Sequence, residues 1–95
     1  MAIKSFAHRG LEEFFCDGRT RRIGSDYLKR IAVILDALDG ATHVHDLHGA
    51  YGFHRLSGSR VGEYAMQVTG NWRLTFRFEN GDAGDIVDVN FEDYH

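Results

Sequence analysis

Residues 64–92 read YAMQVTGNWRLTFRFENGDAGDIVDVNFE, and the periodicity of this stretch decides the fold. Tyr64, Met66 and Val68 alternate with Ala65 and Gln67. Trp72, Leu74, Phe76 and Phe78 alternate with Arg73, Thr75 and Arg77. Val87, Val89 and Phe91 alternate with Asp88, Asn90 and Glu92. Neighbouring side chains of a strand point to opposite faces, so a period of two marks strands with one apolar face. Thr69-Gly70-Asn71 supplies turn residues between the first two runs. Asn80-Gly81 is a hairpin signal between the second and third, because both central residues of a type I′ turn need positive φ. Three consecutive antiparallel strands are expected, preceded by a shorter one over residues 53–56.

The apolar face of such a sheet needs a cover. Residues 25–40, SDYLKRIAVILDALDG, place Tyr27, Ile31, Ile34, Leu35 and Leu38 at spacings of three and four, one stripe of a helix. Ser25 is the expected N-cap and Gly40 the expected left-handed stop. Leu11, Phe14 and Phe15 share a face of a shorter helix that Gly18 ends, and Thr42 could cap one further turn through about Leu47. Residues 3–6 suit a short edge strand. The expectation is a single α+β domain over residues 1–95. Two N-terminal helices, with a short third, pack on one face of a mainly antiparallel four- to five-stranded sheet.

At 43% apolar residues the chain has the composition of a folding domain rather than a disordered one. No run approaches the roughly 18 apolar residues of a membrane span, and the start lacks the pattern of a secretory signal. Cys16, the one cysteine, cannot form an internal disulfide, which fits a reducing cytoplasm. Nothing nearby marks it as activated, so it is expected to be a small core residue. A net charge of −3 argues mildly against nucleic acid, but the charges are segregated. Residues 19–30 carry Arg19, Arg21, Arg22, Lys29 and Arg30 against Asp26, whereas residues 79–95 carry six acids and neither Lys nor Arg. Local polyanion binding is compatible with such a distribution, as is a solvated helix face.

Alternation also places charge. If Trp72, Leu74, Phe76 and Phe78 face the helices, Arg73 and Arg77 face away, about 13 Å apart. Two arginines on an open sheet face could hold phosphates, or could pair across strands with Asp88 or Glu92. Parity puts Tyr94 on that outer side too. The loop HRLSGSRVGEY, residues 54–64, is rich in hydrogen-bond donors but lacks the GxxxxGK[ST] pattern of a phosphate-binding loop. His43, His45 and His48 lie close in sequence, yet only the last two share a helix face and a fourth ligand is lacking nearby, so no metal site is expected. His54 and His95 adjoin strands and have arginine or carboxylate neighbours, as proton-transfer groups would.

Three stretches, IKSFAHRGLEEFF, LSGSRVGEYAMQVTGNWRLTFRF and the terminal FEDYH, resemble in order the HigB-type toxins of the RelE-like superfamily. The resemblance implies helices on one side of an antiparallel sheet. It implies a metal-independent endoribonuclease, without cofactors, that enters the ribosomal A site and cuts translated mRNA in the cytoplasm. It also implies a cognate HigA-like helix-turn-helix antitoxin, through which alone the pair meets operator DNA, and no membrane partner. Residue by residue, it assigns catalytic roles to His54, Asp93, Tyr94, His95 and Arg73. His54 and His95 transfer protons, Tyr94 positions or stacks on a base, and Asp93 orients His95. Arg73 and the loop residue Arg60 hold the scissile phosphate. Beyond the resemblance, the outward-facing Arg77, the loop residue Arg55 and the basic run with Arg19, Arg21 and Arg22 are expected to offer further RNA contacts. One departure stands out: many members have His-Pro-Leu-Lys-Gly-Asp-Arg where this chain has His54-Arg55-Leu56-Ser57-Gly58-Ser59-Arg60, so Ser57 replaces a lysine. That leaves an alternative, a catalytically weak or inactive binding module of the same fold that acts through antitoxin and operator regulation or by blocking ribosomes.

Overall fold

The computed structural model describes residues 1–81 and 83–93; Tyr94 and His95, and the roles expected of them, lie outside the described residues. Helices α1 (Arg9–Asp17) and α2 (Leu28–Gly40) precede strands β1 (His54–Arg55), β2 (Tyr64–Thr69), β3 (Trp72–Phe78) and β4 (Ile86–Asp93). The strands form one antiparallel sheet in chain order. Residues 2–7 add a fifth, parallel edge along β4: Ile86 donates to Ala2 O at 2.9 Å, and Lys4 to Ile86 O at 2.8 Å. The α+β architecture read from the sequence is therefore the observed one.

The core lies between the helices and one face of the sheet. Leu11 of α1 and Ile31, Ile34, Leu35 and Leu38 of α2 are buried against Met66, Leu74, Phe76, Ile86 and Val89. Burying such side chains stabilises by about 1.5–3 kcal/mol each and sets which face of the sheet stays open. Tyr27 closes one end of this layer, 5.5 Å from the Trp72 ring and 5.4 Å from Phe91.

Local details differ from the sequence expectations at four points. Ser25 makes no side-chain cap; it opens a single 3-10 turn, and α2 starts at Leu28. Gly40 is the last helical residue rather than a left-handed stop, and Ala41 leaves in an extended conformation. Gly18, by contrast, ends α1 at φ 70°, as expected. The turn at residues 44–47 is also 3-10, and Asp46 tightens it by accepting from Thr42 N, Thr42 Oγ1 and His43 N. Cys16 is exposed, not core, because α1 turns Gly10 and Leu11 inward and leaves position 16 toward solvent.

The last strand holds the larger correction. Gly70 opens the tight β2–β3 turn at φ 55°, but β3 and β4 are joined by a wider loop. Within β4, the register steps from Arg77↔Val87 to Thr75↔Asn90, so one extra residue is accommodated. Asp88 sits at this bulge with φ 57°, a left-handed conformation that Asp tolerates better than most residues. The bulge resets the pleat. Ile86, Val89 and Phe91 point to the core, while Val87 joins the opposite face. Asn90 and Glu92 stay on the open face, and Asp93 pairs with Trp72 at the sheet's end.

Candidate functional site

The open face of the sheet gathers most of the chemistry-bearing residues. Register aligns His54, Ala65, Thr75 and Asn90 across the four strands, with Gln67, Arg73 and Glu92 forming the next row. His54 is exposed, and its Nδ1 lies 2.7 Å from Gly52 O. The turn carrying that carbonyl is fixed in place, since Gln67 N donates to Tyr51 O at 2.7 Å. Arg55, the next residue, takes the other side of the edge strand and lies with its Cζ 5.7 Å from the Tyr64 ring centre. A groove of about 300 Å³ beside β1 is lined by His48, Phe53, His54, Arg55 and Tyr64.

Residues 57–63 fold over this face and deliver Arg60 to its middle. The guanidinium donates to both oxygens of Glu63, at 3.1 and 2.8 Å, and to both oxygens of Glu92, at 3.0 and 2.7 Å. Thr75 Oγ1 donates to Glu92 as well, from a position only 1% exposed. Hydrogen bonding to Arg60 holds the Glu92 carboxyl below the usual carboxylate range, and the two carboxylates raise the Arg60 guanidinium above its already high value.

Arg73 lies in register with Glu92, yet its Nη1 donates to Gly70 O at 2.7 Å and to Trp72 O at 3.1 Å. Glu92 is thus committed to the loop arginine, and Arg73 makes no ion pair among the described residues. Arg77 is exposed on the same face beneath the loop; a Cβ added at Gly62 would lie 3.5 Å from its Nη2. The cross-strand pairing of Arg73 and Arg77 with Asp88 or Glu92, one of the two sequence options, is not what these residues do.

Over residues 4–95 the chain matches the family described as RelE-like toxin of type II toxin-antitoxin system HigB. The chain belongs to the HigB-like toxins. It is also 43% identical over 94 residues to the endoribonuclease HigB of Proteus vulgaris, a match spanning 98% of this chain and 99% of that protein.

In this HigB-like toxin the residues singled out from sequence do not all share one place. His54, Arg60, Arg73 and Arg77 share the open face, whereas Arg55 lies on the other side of the edge strand and Asp93 pairs in register with Trp72, whose ring packs on Tyr27 of the helical layer. Arg19, Arg21 and Arg22 lie in the α1–α2 connection, within the helical layer. Arg21 and Arg22 pair there with Glu13 at 3.3 and 3.0 Å, and Arg9 reaches the same carboxylate at 3.7 Å. Several cations around one acid leave a net positive patch, although exposed pairs of this kind add little to stability.

The histidines also divide. His45 and His48 rings lie 5.3 Å apart, and His48 stacks on Phe53, extending an aromatic column into the core. Among the described residues, no three His, Cys, Asp or Glu side chains converge as a metal site would require. No helix among them is long and apolar enough to cross a membrane.

Sequence reasoning missed two partnerships. Glu63 and Glu92 bracket Arg60, and nothing local announces a contact between residues 32 apart. His8 is the N-cap of α1, accepting from Leu11 N at 3.2 Å through Nδ1. Its proximity to the start of an amphipathic run could have been read as a cap.

Proposed function

We propose that this toxin is a ribosome-dependent, metal-independent endoribonuclease that cuts translated mRNA and is neutralised by a helix-turn-helix antitoxin of the HigA type. The observation that carries the reading is His54, exposed on the sheet face that also carries Arg73 and Arg77, with its Nδ1 committed to a carbonyl. A carbonyl only accepts, so Nδ1 carries the proton and Nε2 of the neutral ring is left as a proton acceptor. Family membership and the named relative support RNA as the substrate.

RNA carries its own nucleophile, the 2′-OH next to the scissile phosphate. Cleavage needs that hydroxyl deprotonated, charge stabilised at phosphorus, and the 5′-oxygen protonated as it leaves. His54 and His95 share the two proton transfers. Tyr94 stacks on or positions a base, and Asp93 orients His95. Arg60 already serves two carboxylates, so the phosphate contacts fall to Arg73 and Arg77, with Arg55 on the adjoining edge. The ribosomal A site aligns the mRNA, which relieves a small open face of much of that task. The Arg19, Arg21 and Arg22 patch in the helical layer contacts ribosomal RNA. Operator DNA is met only through the antitoxin, and the site of action is the cytoplasm.

The test compares mRNA cleavage on translating ribosomes with cleavage of the same mRNA alone. Cuts are expected on ribosomes and little cleavage without them; efficient cutting of naked RNA would sink ribosome dependence. A second reading, a non-catalytic ribosome blocker, draws on Ser57 standing in the lysine position and on the neutralised Arg60. Growth arrest without mapped cuts would favour it. Cuts that vanish in Tyr94→Ala or His95→Ala would exclude it.

A further inference from the structure

The family resemblance gives Arg60 to the scissile phosphate, but the side chain is built into a different task. Its Nε and Nη2 clasp Glu63 of its own loop, and its Nη1 and Nη2 clasp Glu92 of β4. Both edges of the planar guanidinium are therefore occupied by carboxylates. Glu92 is itself oriented by the buried Thr75 hydroxyl. A phosphate approaching this arginine meets two negative charges for one positive, and would have to displace a forked, charge-assisted pair to reach it.

The loop that carries Arg60 is a wound unit. Leu56 N donates to Glu63 O at 2.9 Å and closes its neck. Within it, Arg60 N donates to Ser57 O at 3.2 Å, Val61 N to Gly58 O at 3.3 Å, and Glu63 N to Arg60 O at 3.0 Å. The neck starts two residues after His54, and Glu92 immediately precedes Asp93.

We propose that Arg60 and Glu92 form a clamp that positions the active face, holding the loop that follows His54 against the strand that leads into Asp93. Arg60 is then a positioning residue rather than a phosphate ligand. The proposal rests on the endoribonuclease reading for its effect on rate, but not for its effect on the loop.

The experiment measures mRNA cleavage on translating ribosomes, well below the unfolding midpoint of each protein, for Arg60→Ala, Glu92→Ala, the double variant and Arg60→Lys. Each alanine variant is expected to lower kcat by about 10- to 100-fold, as small misplacements of reacting groups do, with KM nearly unchanged. The double variant falls no further than the worse single one, because the two act as a unit. Arg60→Lys falls close to Arg60→Ala, since an ammonium cannot fork two carboxylates at once.

A phosphate ligand behaves differently. Glu92→Ala would then free Arg60 and match or exceed the wild-type rate. Arg60→Ala would raise KM and flatten the salt dependence of RNA binding by about 0.7 in the log–log slope. That pattern would overturn the proposal. If Glu92→Ala does not fold, Glu92→Gln, which keeps an acceptor for Arg60 and Thr75 but loses the charge, carries the same comparison with smaller losses. Should the wild-type protein cleave no RNA, the endoribonuclease reading fails by itself. Amide exchange then decides the clamp: faster exchange over residues 57–63 in the Glu92 variant supports it, and unchanged exchange refutes it.

Discussion

His54 Nδ1 and the carbonyl oxygen of Gly52 are 2.7 Å apart, and this contact fixes which nitrogen of the ring can do chemistry. With the proton on Nδ1, the neutral ring offers Nε2 as acceptor. The same bond holds the ring in one orientation without involving another side chain. His54→Ala is expected to lower mRNA cleavage on ribosomes by about 10²–10⁴-fold, the usual loss when one general acid or base is removed. The fold should survive, because His54 is exposed on a two-residue edge strand. A variant that folds normally and cleaves at the wild-type rate would remove His54 from the mechanism.

Arg73 is pinned at one nitrogen to Gly70 O and Trp72 O, which points the guanidinium along the hairpin and leaves other donors for a ligand. A charge-assisted hydrogen bond contributes about 1.5–3 kcal/mol. Arg73→Ala should therefore lower kcat/KM for cleavage by about 10- to 100-fold, with the unfolding midpoint little changed. Arg73→Lys should recover only part of the loss, since lysine keeps the charge but lacks the planar fork. Full recovery in the lysine variant would show that charge alone matters at this position.

What could be read from the sequence follows from how far each signal extends. The strand order and the apolar faces were legible because period two and period 3.6 are local properties. Alternation put Arg73 and Arg77 on one face, and that parity holds within β3 and across its register with β2 from Tyr64 to Gln67; His54 joins the face only through its pairing with Ala65. Parity failed in β4, where a single extra residue at Asp88 inverts everything before it. The Arg60 clamp was illegible for a different reason. Its three charged members come from a loop and a distant strand, and only the folded chain brings Glu92 to Arg60 rather than to its in-register neighbour Arg73. Cys16 was misjudged because composition says what tends to be buried, not which way a short helix is rotated.

The bulge itself can be tested. Asp88 holds φ 57°, and its N–H donates to Ser5 Oγ at 2.9 Å, tying the bulge to the N-terminal edge segment. A β-branched side chain is poorly accommodated in this backbone region, at a cost of about 1–2 kcal/mol or more. Asp88→Val is expected to destabilise the protein by at least that much in urea unfolding, whereas Asp88→Asn and Asp88→Gly should remain near wild type. Equal stability of the valine variant would mean that the bulge relaxes without cost.

His8 makes folding stability sensitive to mild acid. Its Nδ1 accepts from Leu11 N at 3.2 Å, and its ring packs edge-on against Phe91 with centres 6.0 Å apart. Burial disfavours the charged ring and lowers its pKa below the ordinary 6.5. A protonated Nδ1 also carries a hydrogen and can no longer cap α1. The folded state thus prefers the neutral ring, so the contribution is whole above the unfolded value and is lost as pH falls through the lower folded one. Loss of an N-cap costs about 0.5–2 kcal/mol, and the unfolding midpoint should decline by a corresponding amount between about pH 7 and pH 5. His8→Asn, which caps without titrating in that window, should flatten this part of the profile while leaving the more acidic limb, set by carboxylates such as Glu92 and Asp85, in place. An unchanged slope between pH 7 and pH 5 in the asparagine variant would place the sensitivity elsewhere.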